Sequence, residues 1–93
     1  RLDRGIDDET IVKLCKERSG SGYHPCGTAR MGPKEDPGSV VNEYGQLHTL
    51  ANVLVADASI MPSVPRANTN LTSIMIGEKI GEWLRTSPTI YGF

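Results

Sequence analysis

The sequence is poor in the large side chains that anchor a hydrophobic core. Aromatic residues make up 5% of its 93 positions, with one Trp and one Phe. The two cysteines, Cys15 and Cys26, are too few for a disulfide framework. A chain of this length with so few anchors is only marginally stable by itself. We therefore expect a segment that packs against another protein surface.

Charge and hydropathy indicate neither a nucleic-acid nor a membrane partner. Lys and Arg total 10 and Asp and Glu total 11, for a net charge of −1, and the basic residues are scattered rather than clustered. No apolar run approaches the roughly 20 residues that cross a bilayer. The first ten residues hold no apolar signal core and no initiator Met. We expect that Arg1 is not the original start, and these residues indicate no cellular compartment.

The hydrophobic periodicity predicts two helices. The first covers residues 7–18, where Asp7 or Asp8 can serve as the N-cap and lysines and an arginine gather near the end. The second covers residues 70–85 and is the longest helical pattern in the chain. Its first two turns hold few polar positions, so we expect that end of the helix to be buried.

The central part of the chain has the pattern of strands and turns. Residues 39–50 suggest two short strands around a turn at Gly45. The apolar run 53–56 predicts a strand that is buried on both faces and ends at Asp57.

The stretch "YHPCGTARMG" (23–32) holds the first candidate for chemistry, His24. Pro25 restricts the backbone of His24, and histidine is the side chain best suited to move a proton near neutral pH. The alternative is a structural histidine bonded to a backbone carbonyl. Cys26 would share a face with His24 in an extended segment, but the chain has no CxxC or HxxxH, so we expect no metal site. We expect both cysteines to be buried thiols, and His48 to be a surface residue.

Two downstream features allow either a structural or a functional interpretation. Asp57 at the strand end could cap the next turn, or it could lie close to a ligand. "NTN" (68–70) could cap the last helix. Alternatively, the free amides and positive dipole of a buried helix start would suit an anion or an electron-rich carbonyl.

The order of these motifs carries more information than any one of them. The chain reads "HPCGTARMG", then "VADASIMP", then "NTNLTSIMIGEK". This succession strongly resembles the C-terminal signature of the glucose-methanol-choline (GMC) oxidoreductases, FAD-dependent enzymes that oxidise alcohols. The resemblance covers roughly residues 20–85. Asn42 departs from it, since many members carry Asp there.

The resemblance implies roles for particular residues. His24 matches the active-site base that acts on the substrate hydroxyl, with hydride transfer to the flavin N5. Asn68 matches the second member of the catalytic pair, which would hydrogen-bond the alkoxide. Five further positions match the cofactor-binding segments: Asp57, Ala58, Thr69, Asn70 and Leu71. The implied cofactor is FAD, and the implied substrate is a small alcohol.

The resemblance also implies an incomplete fold. The chain has no G-x-G-x-x-G dinucleotide motif, so it cannot hold FAD alone. We expect an α/β (α+β) C-terminal fragment of a two-domain enzyme, with a Rossmann-like FAD-binding domain and a substrate domain, and not an autonomous domain. Residues 1–50 would belong mainly to the substrate domain and active site, and residues 51–93 would complete the FAD-binding domain. The partner would be the N-terminal remainder of the enzyme.

Two other functions agree with parts of the pattern. A hydroxynitrile lyase of the same fold would keep FAD and perform no net redox reaction. A non-enzymatic module would use the apolar last helix as a docking face.

Overall fold

The computed structural model describes residues 5–92, so Arg1–Arg4 at the start of the segment 1–50 and Phe93 at the end of 51–93 lie outside the described residues. Two α-helices are present, α1 (Asp8–Arg18) and α2 (Asn70–Thr86). Two short 3-10 helices cover Ala58–Ile60 and Pro88–Tyr91. Both predicted α-helices are therefore confirmed, with boundaries that differ from the prediction by one residue.

Helix α1 begins at the expected cap but buries none of its side chains. The Asp7 carboxylate accepts the backbone N–H of Thr10 at 2.8 Å. Ser19 ends the helix by donating its N–H to the carbonyl of Cys15. Cys15 is exposed, so the expectation of a buried thiol is wrong at this position. The helix has an apolar stripe, but no other described segment packs over it.

Helix α2 is buried on one side only. Ile76 and Ile80 lie in the core, whereas Leu71, Ile74 and Met75 are 79%, 54% and 56% exposed. The expectation that the helix start is buried is therefore wrong for this chain by itself. Among residues 5–92, no segment covers this apolar surface. No helix in the same range is both long and apolar enough to cross a bilayer.

The described residues contain no β-strand, and the expected strands are reduced to isolated bridges. Val41 pairs with Met31 and with Leu47, and Gln46 pairs with Leu54. Of the run predicted to be buried on both faces, Val53 is 40% exposed. A fully buried strand needs neighbours on both edges and a layer on each face, and within residues 5–92 only the segment around Gln46 pairs with this run. The helical part of the α/β prediction is confirmed, and the sheet is not found.

The turn at Gly45 is confirmed, and Asn42 organises it. Gly45 has φ 77° and accepts the N–H of Val55 at 2.8 Å. The Asn42 side-chain oxygen accepts the N–H groups of Tyr44 and Gln46, both at 3.0 Å. Its amide also donates to the Gln46 side-chain oxygen at 2.9 Å. A carboxylate could accept the two N–H groups but could not make the last bond, so the amide suits this turn.

A small core forms where α2 meets the central turns. The buried apolar side chains are Val41, Ile60, Met61, Ile76, Ile80 and Tyr91. Tyr44 packs edge-on against Trp83 with ring centroids 5.4 Å apart. The Tyr91 hydroxyl donates to the carbonyl of Tyr44 at 3.3 Å. The core thus joins the central turns to the middle and the C-terminal part of α2.

The shape of the chain is extended. Its principal extents are 62 × 27 × 17 Å and its radius of gyration is 18.8 Å. A compact domain of this length has a radius of gyration of about 12 Å. The small core and the extended shape agree with a segment that does not form an independent globular unit.

Candidate active site

His24 lies on an exposed segment without regular secondary structure that follows α1. Tyr23, the residue before it, has φ 57°, which is unusual for a bulky side chain. The backbone N–H of Tyr23 is held by the Ser21 hydroxyl at 3.1 Å. Pro25 then keeps His24 extended. The backbone therefore turns sharply just before His24 and leaves its ring at the surface.

The residues after His24 run alongside the 3-10 helix that follows Asp57. The three backbone N–H to carbonyl pairs are Gly27 to Ala58, Ala29 to Ser59 and Met31 to Ile60, at 3.1, 2.9 and 2.9 Å. Gly27 has φ 77°, and a Cβ there would lie 3.2 Å from the Met61 carbonyl oxygen. A glycine is needed because the backbone is both left-handed and close to its neighbour. The structure thus brings the two motifs containing His24 and Asp57 together.

One side-chain contact joins His24 to the start of α2. The Thr69 hydroxyl oxygen lies 3.3 Å from His24 Nδ1, across 45 residues of sequence. Thr69 is buried, with 7% of its surface exposed. This contact places His24 directly beside "NTN", and it leaves the other ring nitrogen, Nε2, without a hydrogen bond among the described residues.

The start of α2 is not capped by either asparagine. The N-cap residue is Thr69, which has φ −76° and ψ −12° and makes no side-chain capping bond. Asn68 and Asn70 are both exposed, so the capping interpretation of "NTN" is wrong. The first turn carries no acidic residue. The first amides of α2 therefore have no side-chain partner among residues 5–92.

This helix start fits the flavin that the resemblance implies. A helix begins with N–H groups that have no intrahelical partner and with a partial positive charge. These groups suit an electron-rich carbonyl, and the first turn of α2 carries no acidic residue that would compete for them. The adjacent Leu71 is 79% exposed and offers an apolar surface for a ring system.

Asp57 caps the 3-10 helix Ala58–Ile60. Its carboxylate accepts the backbone N–H of Ser59 at 2.8 Å and also the Ser59 hydroxyl. Bonds from the Ser59 hydroxyl first, and from the Ser59 amide second, lower the pKa of the Asp57 carboxyl. The capping interpretation is therefore confirmed. Asp57 stays exposed and ionised, so one face of the carboxylate is still open to solvent or a ligand.

An ion pair in the loop 30–39 involves Arg30, which lies near the end of the motif "YHPCGTARMG" (23–32). Arg30 pairs with Asp36 at 2.7 Å, and this bond is the main cause of the lowered pKa of Asp36. A Cβ on Gly38 would lie 2.6 Å from the Arg30 guanidinium. This pair was not predicted from the sequence. The signal was present in the charges and glycines of the loop, but it did not indicate which residues pair.

His48 and Cys26 also differ from expectation. His48 is half-buried, and its Nε2 lies 3.0 Å from the Gly32 carbonyl oxygen, so it is not a simple surface residue. Cys26 is half-buried and packs against the core, as a structural thiol would. Within the described chain, no group of three or more His, Cys, Asp or Glu side chains could hold a metal ion.

The arrangement places an imidazole, the kind of group that transfers protons, beside a helix start. An exposed imidazole has one nitrogen held by a buried hydroxyl and the other directed to no described partner. Asn68, which offers both a donor and an acceptor, comes immediately before that hydroxyl residue. A base next to an amide donor is suited to a substrate hydroxyl that loses its proton.

Comparison with known proteins points to one family. A family profile described as GMC oxidoreductase matches residues 3–77. The chain is 44% identical over 87 residues to an oxygen-dependent choline dehydrogenase of Cronobacter sakazakii, covering 90% of this chain and 15% of that protein. It is 40% identical over 80 residues to a 5-(hydroxymethyl)furfural oxidase of a Methylovorus species, covering 86% and 15%. An oxygen-dependent choline dehydrogenase of Escherichia coli is 44% identical over 78 residues, covering 84% and 14%. The chain therefore spans about 15% of the length of these relatives.

Proposed function

This chain belongs to the GMC oxidoreductase family, and from that membership we propose that it is the C-terminal catalytic segment of an FAD-dependent enzyme that oxidises an alcohol. The observation that carries the proposal is the contact between His24 and Thr69. It holds an exposed imidazole beside a helix start that no side chain among residues 5–92 caps. The similar proteins include a dehydrogenase and an oxidase, and both names denote oxidoreductases.

We assign the proton transfer to His24. Its Nε2 accepts the proton of the substrate hydroxyl, since Nδ1 is engaged by Thr69. Asn68 donates a hydrogen bond to the same substrate oxygen and stabilises the charge that develops there. The bound flavin supplies the hydride acceptor. Both side chains are exposed in this chain and are therefore free to meet a substrate.

Five residues are proposed to face the FAD. Asp57 and Ala58 lie beside the segment that follows His24, where an exposed carboxylate and a backbone turn meet. Thr69, Asn70 and Leu71 form the start of α2, whose first amides suit a flavin carbonyl. In this proposal residues 1–50 serve mainly the substrate domain and active site, and residues 51–93 complete a Rossmann-like FAD-binding domain.

The remainder of the same enzyme is the proposed partner. The exposed apolar side chains at the start of α2 are those of Leu71, Ile74 and Met75. Burial of a single such side chain contributes about 1.5–3 kcal/mol. The radius of gyration of 18.8 Å, against about 12 Å for a compact chain of this length, also favours a segment completed by further protein.

Substitution of the catalytic pair tests the proposal in the complete, flavin-loaded enzyme. We expect His24→Ala to lower kcat by about 100- to 10,000-fold, the range for a general base, with flavin still bound. We expect Asn68→Ala to lower kcat by about 10- to 1000-fold, as for one oxyanion donor. His48→Gln is the control, because His48 bonds a carbonyl in the loop and glutamine keeps a donor.

Unchanged turnover in His24→Ala would remove His24 from the role of base. The redox reaction itself is tested by adding alcohols to the enzyme without oxygen and following the flavin absorbance. Bleaching supports alcohol oxidation. A flavin that stays oxidised with every alcohol tried would refute it in favour of a lyase.

A further inference from the structure

We propose that Thr69 is a positioning residue that sets the tautomer of His24, by accepting a hydrogen bond from its Nδ1–H and so leaving Nε2 as the base. The inference rests on the proposed function for the role of His24. It gives the Thr69 side chain a role of its own, whereas the family resemblance only places Thr69 in a cofactor-binding segment. The starting observation is the 3.3 Å distance between Thr69 Oγ1 and His24 Nδ1.

The Thr69 hydroxyl is available for this task because it does not cap α2. A Thr at the N-cap usually has extended backbone angles and bonds an amide of the first turn. Thr69 instead has helical angles, φ −76° and ψ −12°, and makes no side-chain capping bond. Its carbonyl is engaged, since it accepts both the N–H and the hydroxyl of Ser73, at 2.9 and 2.8 Å. The helix is thus held through the Thr69 backbone, and the side chain is directed to His24.

Burial makes this contact difficult to replace. Thr69 is 7% exposed, and the described part of the chain holds no buried side-chain oxygen or nitrogen that lacks a hydrogen-bond partner. For the Thr69 hydroxyl, the partner among residues 5–92 is His24. The contact is also the one hydrogen bond to the His24 ring in that range. The ring is otherwise exposed, so this is the hydrogen bond that constrains its orientation among the described residues.

The assigned tautomer follows from the proposed role of Nε2 as the base. Neutral histidine has one N–H donor and one acceptor nitrogen. If Nδ1 accepted from the Thr69 hydroxyl, Nε2 would carry the hydrogen and could not take a proton from the substrate. If Nδ1–H donates to Thr69 Oγ1, the lone pair of Nε2 is free. When the substrate O–H bond breaks and the proton forms Nε2–H, the Nδ1–H keeps the same acceptor, so the ring does not need to turn.

The test compares Thr69→Val with Thr69→Ser in the complete, flavin-loaded enzyme. Valine has nearly the same shape as threonine without the hydroxyl, and serine restores the hydroxyl. The first readout is the pair of ring ¹⁵N chemical shifts of His24, assigned by their loss in His24→Gln. The others are kcat, KM and flavin content. The nitrogen shifts report the tautomer whether or not the enzyme turns over.

We expect the Nδ1–H tautomer in the unsubstituted enzyme and in Thr69→Ser, and a shift toward the Nε2–H tautomer in Thr69→Val. We expect Thr69→Val to lower kcat by about 10- to 100-fold, because part of the population then lacks a base. KM and flavin content should stay within about 2-fold, since the change acts through His24 rather than through binding. Recovery of kcat in Thr69→Ser separates the hydroxyl from a general packing effect.

Each other outcome has a defined meaning. An unchanged tautomer in Thr69→Val overturns the inference. It is also overturned if His24→Ala is inactive but Thr69→Val has the same kcat as the unsubstituted enzyme. If the tautomer changes in Thr69→Val but His24→Ala is fully active, the proposed base role of His24 is refuted, while the control of the His24 tautomer by Thr69 is supported. If Thr69→Val does not fold, Thr69→Ala replaces it. An Nε2–H tautomer in the unsubstituted enzyme refutes the inference without any variant.

Discussion

Replacement of Gly45 by alanine should strongly destabilise the protein. Gly45 is buried, has φ 77°, and accepts a hydrogen bond from Val55 at 2.8 Å. A Cβ at this position would lie 2.6 Å from the Val55 carbonyl oxygen and 2.9 Å from Ile80 Cδ1. The first neighbour is backbone and cannot rotate away, and the second belongs to a buried side chain of α2.

The magnitude is the sum of two costs. A left-handed backbone costs an alanine about 1–2 kcal/mol. The overlap forces a shift of packed groups, and overpacking of that kind costs about 1–3 kcal/mol. We therefore expect Gly45→Ala to lower the free energy of unfolding by about 2–5 kcal/mol. The measurement is the midpoint and enthalpy of thermal unfolding of the complete enzyme by calorimetry.

Two other glycines with positive φ are matched controls. Gly92 has φ 82°, and a Cβ added there would have no neighbouring atom within 4 Å, so Gly92→Ala carries the backbone cost alone. Gly27 has φ 77° and one contact at 3.2 Å, so Gly27→Ala should be intermediate. The expected order of destabilisation is Gly45, then Gly27, then Gly92. Equal effects at Gly45 and Gly92 would refute the claim that the close approach of Val55 matters.

Two further predictions concern ionisable groups. Hydrogen bonds from Ser59 hold the pKa of the Asp57 carboxyl below its ordinary 3.8. These bonds therefore stabilise the protein above pH 3.8, and the stabilisation is lost as the pH falls through the lower pKa of the folded state. The stability advantage over Asp57→Asn, measured by urea unfolding, should shrink on acidification, and a constant advantage would contradict this. Burial first, and the neighbouring Tyr44 second, raise the pKa of the Tyr91 hydroxyl above its ordinary 10.0. The protonated hydroxyl therefore stabilises the folded protein below that pH, and this stabilisation is lost as the pH rises through the higher pKa of the folded state. Tyr91→Phe should cost about 0.5–1.5 kcal/mol at neutral pH and reduce the loss of stability in alkaline urea titrations, and an identical alkaline loss would contradict this.

Local sequence was sufficient for the two α-helices. In α1, Asp7 lies three residues before the N–H that it accepts, so its capping role depends on neighbours in the chain. In α2, the apolar pattern predicts the helix itself, but the burial falls at Ile76 and Ile80 and not at the first two turns as expected. The left-handed turn at Gly45 was predictable for the same reason, because a glycine between apolar runs is a local signal.

Contacts between distant residues could not be predicted in this way. The sequence left the structural and the catalytic interpretations of His24 open, and its contact with Thr69, 45 residues away, could not be predicted from either. Asn68 and Asn70 have the pattern of caps, but the side chain at the N-cap position is directed to His24 instead. The expected strands need partners along both edges, and the described residues supply only single bridges.

The helices, the turns and the family could all be inferred from the order of the amino acids, because caps, periodicity and the succession of three motifs depend on residues close in the chain or on their sequence along it. Which groups meet was settled by the folded chain. Folding placed Gly27 against Met61 and the Thr69 hydroxyl beside His24. The meeting of distant groups depends on packing in three dimensions, where one hydroxyl that could have capped a helix instead lies beside an imidazole.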